Sequence, residues 1–204
     1  NPFSLLKALS PPKAKPGKDP RIAVVYAVGQ IDTGKSGVGL MGSKVGSDTI
    51  IEAIRQAEED ATVKAIVLRV DSPGGSAIAS EVIWRELMLT RDVKPVIVSM
   101  GDVAASGGYY VSAPCRWIVA NELSLTGSIG VIMSGMNFRG LMDKVGIQPQ
   151  VYKSGKFKDM MSSTRRPEDI PAGEREMVQG LIDETYATFK GVVRKGRAAS
   201  RAAN

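Results

Sequence analysis

The sequence predicts an α/β fold with a largely parallel sheet, and three observations carry that prediction. Two apolar, β-branched runs, residues 65–70 and 95–100, each lead into a glycine turn. The turns are Asp71-Ser72-Pro73-Gly74-Gly75-Ser76 and Gly101-Asp102-Val103-Ala104-Ala105-Ser106-Gly107-Gly108, and each opens a helical pattern. Strand, Gly-Gly turn and helix repeated in succession imply parallel strands joined by right-handed crossovers, with both turns at the carboxyl edge of one sheet. The third observation is bulk: 204 residues, 43% hydrophobic and 24% charged, suffice for one sizeable core and one folded domain.

Residues 1–20 hold Pro2, Pro11, Pro12, Pro16 and Pro20 among Lys7, Lys13, Lys15 and Lys18, the composition of an extended basic linker. The chain opens at Asn1 without a methionine, so an upstream segment is expected, and nothing present contains a run of about 18 apolar residues that would span a membrane. Arg21–Val28 reads as a near-continuous apolar strand of the kind buried on both faces. Residues 29–46 read as a Gly-rich loop. Ser47 or Asp48 is placed to cap a helix running to about Asp60, with Ile50, Ile51, Ile54 and Ala57 on one face. A second helix, Ala77–Thr90, is expected to turn Ile78, Val82, Ile83 and Leu87 inward. Beyond the second glycine turn the pattern predicts strands at residues 117–120, 129–133 and 149–152, and a short helix at 138–145. A long helix at 173–194 then carries Met177, Leu181, Ile182, Tyr186, Phe189 and Val193 at helical spacing.

Ser106 falls where the strand at 95–100 has turned and a helix begins, beside backbone N–H groups that have no helical partner. The glycines after it allow another chain to approach without a Cβ in the way. That position suits a nucleophile, and it equally suits a plain N-cap. Composition narrows the chemistry. The chain has no histidine and one cysteine, Cys115, which excludes imidazole triads within one subunit and His/Cys zinc sites, and leaves only oxygen ligands for a hard cation. A nucleophilic Ser106 would need a lysine or a carboxylate as base. Lysine serves at neutral pH only if its surroundings lower its pKa by about 3 units from about 10.4. The net charge of +6 resides mostly in the amino-terminal arm and in residues 153–166, and with 5% aromatics it does not read as a nucleic-acid surface. A single cysteine excludes an internal disulfide.

Four segments together resemble the bacterial signal peptide peptidase A family in order and spacing. They are Asp71-Ser72-Pro73-Gly74-Gly75-Ser76, Ala104-Ala105-Ser106-Gly107-Gly108-Tyr109, Leu125-Thr126-Gly127-Ser128-Ile129-Gly130 and Lys153-Ser154-Gly155-Lys156-Phe157-Lys158-Asp159. The resemblance covers about residues 21–197 and implies the Clp protease/crotonase superfold with a Ser/Lys-dyad serine peptidase. It makes 21–204 the peptidase domain, 1–20 a linker after a removed membrane anchor, and the carboxyl-terminal end a truncation. Residue by residue, it implies Ser106 as nucleophile, Lys158 as the general base of the short, single-repeat form, and Ser128 as the hydroxyl that orients the amine. It implies no cofactor and no metal. In the physical reading, Gly107 and a donor in the Gly74-Gly75 turn hold the oxyanion. Which of those two glycines donates stays open, and Lys153 and Lys156 compete with Lys158 for the base.

The function implied is hydrolysis of signal peptides left in the membrane after secretory proteins are processed, by a homo-oligomeric ring with its catalytic domain on the extracytoplasmic side of the cell membrane. Apolar residues near the turns, Ile132, Met133, Met160 and Met161, are expected to form shallow pockets for unfolded apolar peptides. Two rivals remain. One is a non-catalytic crotonase-like scaffold or membrane-protein assembly partner; the other is a crotonase acting on acyl thioesters, whose oxyanion hole also comes from glycine turns.

Overall fold

A computed structural model describes residues 19–39 and 42–202. The expected linker therefore lies outside the described residues, apart from Asp19 and Pro20. Strands β1 (Arg21–Val28), β5 (Val63–Ser72), β6 (Val96–Ala105) and β7 (Trp117–Val119) form a sheet in the order β1-β5-β6-β7, and all pairings are parallel. Strand β8 (Leu125–Gly127) also pairs parallel with β6, at Val103–Ala105, beyond the stretch that β7 occupies. The predicted α/β class with a largely parallel sheet is what the chain adopts.

Helices α1 (Ser47–Glu59), α2 (Ala77–Thr90) and α3 (Gly107–Ser112) arise from the crossovers. The strand order increases steadily with the sequence, so each right-handed crossover advances the same way and lays its helix on the same face. On that face Ile50 and Ile54 of α1 and Ile83 and Leu87 of α2 are buried with Ile66, Leu68 and Val70 of β5 and Val96 and Val98 of β6. The opposite face stays open in the single chain. Ile22, Val24, Tyr26 and Val28 alternate outward along β1, with Trp117 and Val119 exposed on β7. The expectation that β1 is buried on both faces is thus corrected, because a one-directional crossover series covers one face only.

Other expectations change for local reasons. The Gly-rich stretch is not a loop: β2 (Gln30–Asp32) and β4 (Gly42–Gly46) pair parallel, and β3 (Gly37–Gly39) pairs antiparallel with β4, in a second small sheet. An isolated parallel bridge between Ile31 and Gly75 ties β2 to the first glycine turn. Neither Ser47 nor Asp48 caps α1; the N-cap is Gly46, which makes no side-chain cap. Along α2, Ile78 and Val82 are exposed while Ile83 and Leu87 are buried, so half of the predicted inward set faces elsewhere. The strands predicted at 129–133 and 149–152 do not form. The outer edge of β6 is taken by β7 and β8, and the predicted runs join neither of the sheet's terminal strands, β1 and β7.

The last helix, α5 (Ala172–Ala202), packs its second half against α3: Phe189 and Val192 are buried with Tyr110. Close approach is possible because Gly196 presents no side chain; a Cβ there would lie 2.3 Å from the Ala113 carbonyl oxygen. The first half of α5 instead holds residues 153–166, which bond back to the segment beside α4 (Arg139–Lys144). The Phe138 N–H donates to the Ser163 carbonyl at 2.7 Å, and Asn137 Nδ2 donates to the Arg165 carbonyl at 2.7 Å. Helix α4 buries none of its residues.

Candidate active site

The carboxyl edge of β6 builds the site. Pairing between β5 and β6 is regular to Val70–Met100 and then shifts, so that Ser72 pairs with Ala104 and β6 takes up extra residues in a bulge. The Asp71 carboxylate holds that bulge by accepting from the Val103 N–H at 3.1 Å. A bulge re-aims the chain beyond it. Here the strand ends at Ala105, and the next residue is Ser106, at φ 50 and ψ −117, a left-handed conformation that β-carbon-bearing residues avoid. Two backbone bonds retain it: its N–H donates to the Gly127 carbonyl at 2.9 Å, and its carbonyl accepts from the Tyr110 N–H at 2.9 Å in the first turn of α3. A serine in a strained strand-to-helix elbow is the arrangement by which serine hydrolases expose a nucleophilic hydroxyl.

The first glycine turn lies directly against this elbow. A Cβ on Gly74 would come within 2.4 Å of the Gly107 nitrogen, and one on Gly75 within 2.0 Å of the Ile31 carbonyl oxygen, so both positions require glycine. The Gly74 N–H is already committed, donating to Ser72 Oγ at 3.1 Å. Among the described residues, no hydrogen bond engages the N–H of Gly75 or of Gly107. Ser72 was not foreseen as part of the site; it is fully buried, and its hydroxyl shapes the turn from below.

Ser106, Gly75 and Gly107 open onto a cavity of about 820 Å³. Its walls come from β2 (Gln30, Asp32), from α2 (Ile78, Glu81, Val82) and from α5 (Glu184, Thr188, Phe189), with Ile132 at the rim. This is where the outward-facing Ile78 and Val82 go. Burial lifts the Tyr110 hydroxyl well above its ordinary pKa, assisted by its hydrogen bond to the Glu81 carboxylate.

The remaining sequence candidates lie outside this cavity lining: Ser128, Met133, Lys158 and Met160 are not among its residues. Ser128 comes directly after Gly127, whose carbonyl meets the Ser106 N–H, and it too has a positive φ, 49°. Ile132 and Met133 are exposed, and Met160 is half-buried. Lys158 is exposed in the segment held by α5. The neighbouring lysines are otherwise occupied. Lys153 pairs with Asp159 at 2.7 Å, and Lys156 lies over the Phe157 ring at 5.1 Å. Asp159 is engaged by Lys153 and by Arg165 at 3.4 Å, and the Lys153 ammonium holds its carboxyl below the usual range. Lys158 makes no ion pair among the described residues.

One carboxylate clasps this segment. Buried Glu174 accepts from the Met161 N–H at 3.0 Å and pairs with Arg165, and the Met161 bond is the main cause of its lowered pKa. A depressed carboxylate stabilises the folded form fully above its ordinary value of 4.5 and loses that contribution as pH falls through the lowered value. We therefore expect hydrogen-exchange protection of the Met161 amide, corrected for intrinsic rates, to decline between about pH 5 and pH 3. In Glu174→Gln the protection should be weaker and flat across that range. Protection that declines equally in both proteins would show that Glu174 is not the clasp.

Comparison with known proteins agrees with this geometry. Residues 88–203 match Peptidase family S49, and the chain belongs to that family. It is 38% identical over 174 residues to the chloroplastic serine protease SPPA of Arabidopsis thaliana, covering 85% of this chain and 25% of that protein. It is 38% identical over 167 residues to the putative signal peptide peptidase SppA of Enterococcus faecium, covering 81% of this chain and 47% of the relative. Protease 4 of Haemophilus influenzae is 38% identical over 182 residues, covering 89% of this chain and 28% of its own length. The chain thus spans about a quarter to a half of these relatives.

Proposed function

We propose that this chain carries the catalytic body of a serine endopeptidase that cuts unfolded apolar peptides, with signal peptides the substrate class suggested by the name of the Enterococcus relative. The observation that carries the reading is the Ser106 elbow, strained at φ 50 and set beside two unengaged N–H groups on a cavity. A serine serving only as an N-cap gains nothing from a positive φ, which speaks against the non-catalytic scaffold. Ser106 also gives the site a nucleophile that a thioester-binding crotonase does not need.

In this reading Lys158 takes the Ser106 proton as Oγ attacks the scissile carbonyl. The N–H groups of Gly75 and Gly107 receive the developing oxyanion; Gly75 is preferred over Gly74, whose N–H is committed to Ser72. Lys158 then passes the proton to the leaving amine, and water attacks the Ser106 ester by the same route to release the acid and restore the serine. Ser128 orients the Lys158 amine. The base must be a neutral amine, so Lys158 must be covered, and a neighbouring copy in a homo-oligomeric ring is what covers it. Anchoring at the bacterial cell membrane, with this body on the extracytoplasmic side, completes the proposal; among the described residues no helix is long and apolar enough to cross a membrane.

Treatment with a peptidyl phosphonate or a β-lactone is the direct test. Mass spectrometry is expected to place one adduct on Ser106, with none on Ser99, Ser112 or Ser124. Labelling at an undiminished rate in Ser106→Ala would refute the assignment.

A further inference from the structure

The chain carries a net charge of +6, yet every charged side chain lining the Ser106 cavity is a carboxylate: Asp32, Glu81 and Glu184. No lysine or arginine of the described residues lines it. Asp32 is compensated by Lys44 at 3.0 Å. Glu81 has no ion pair among the described residues; its polar contact is the Tyr110 hydroxyl, which donates a hydrogen bond but brings no charge. Glu184, on the α5 wall of the same cavity, has no ion pair among the described residues. The cavity also has apolar walls from Ile78, Val82 and Phe189.

Two uncompensated carboxylates facing one cleft create a negative potential that a cation entering the cleft relieves. Glu81 is half-buried and Glu184 exposed, so the relief is larger at Glu81 than on an open surface. We infer that the Glu81 and Glu184 wall is a subsite for a lysine or arginine side chain of the peptide, next to the apolar walls that take its neighbours. The preferred substrate is then an apolar segment bearing a basic residue a short distance from the scissile bond. This rests on the peptidase reading for the meaning of the cavity, and it assigns to Glu81 and Glu184 the selection of charge, a role apart from the chemistry at Ser106.

Binding tests it without relying on turnover. Fluorescein-labelled apolar peptides with one lysine stepped through successive positions are titrated into the Ser106→Ala protein and compared with the same peptides carrying norleucine. At one position the lysine peptide is expected to bind about tenfold more tightly, and the advantage should shrink as salt rises. Glu81→Gln, which keeps an acceptor for Tyr110, and Glu184→Gln should each reduce that advantage while leaving the norleucine peptide unchanged. If the norleucine peptides bind and lysine brings no advantage at any position, the subsite is wrong and the peptidase reading stands. A lysine advantage that survives both substitutions also overturns it, and failure of every peptide to bind overturns it together with the cavity's role. If instead the lysine advantage appears but the unmodified protein cuts neither peptide, the subsite stands and the peptidase reading falls.

Discussion

Ser106→Ala is expected to lower peptide hydrolysis by roughly four orders of magnitude or more, the scale seen when a nucleophile is removed from a group that acts as a unit. The fold should be untouched, because the substitution removes one oxygen from a partly exposed position and keeps the Cβ. Ser106→Gly is the more informative partner. It removes the same hydroxyl, so it should be equally inactive. It also releases the strain of a non-glycine residue at φ 50, a conformation whose cost is about 1–3 kcal/mol. Thermal unfolding should therefore place Ser106→Gly above both Ser106→Ala and the unmodified protein, by several degrees for a domain of this size. A protein that becomes more stable as it loses its activity holds strain for the sake of the site. If Ser106→Gly is less stable than Ser106→Ala, the elbow is not strained and its link to catalysis fails.

The elbow was legible because everything that makes it is local. A β-branched run, small residues and Ser-Gly-Gly stand next to one another in sequence, and the bulge that aims Ser106 involves only β5 and β6. Helix α2 was legible to its ends for the same reason: Ser76 Oγ accepts from the Ala79 N–H at 3.3 Å and starts the helix where the pattern starts. What the pattern could not decide is what an apolar face meets. Ile78 and Val82 belong to the same stripe as Ile83 and Leu87, yet the first pair meets a cleft and the second a core. Periodicity reports that a face avoids water and is silent on whether protein or substrate covers it. The strands of the small sheet are too short to show a period. The run at 129–133 has the composition of a strand yet pairs with none, while β8 forms just before it. The acidic lining was beyond sequence reasoning altogether, since Glu81 and Glu184 come from α2 and α5 and line one cavity only once Phe189 of α5 packs on Tyr110.

Mixing inactive Ser106→Ala protein with inactive Lys158→Ala protein, under conditions that allow subunits to exchange, is expected to restore activity. Helix α5 bears on both the segment that carries Lys158 and the Ser106 cavity. Its start, at Glu174, clasps the segment that carries Lys158, whereas its contact with the Ser106 cavity begins at Glu184. Those two points are separated by roughly 15 Å along the helix. Lys158 does not line its own chain's cavity, and it is exposed, whereas a lysine that acts as a base at neutral pH must lose water. The surface around it also lacks a cover. Leu141, Val145, Val151, Tyr152, Met161 and Met177, from α4, from the segment that carries Lys158 and from the start of α5, are all exposed. A second copy seated there would bury that surface, strip water from Lys158 and bring it to a neighbour's Ser106. If each site takes Ser106 from one chain and Lys158 from the next, an equal mixture leaves about a quarter of the sites with both residues intact, and activity should recover to about that fraction. Native mass spectrometry establishes that the oligomers are mixed. Mixed oligomers that stay inactive, with both variants folded, would place the dyad within one chain.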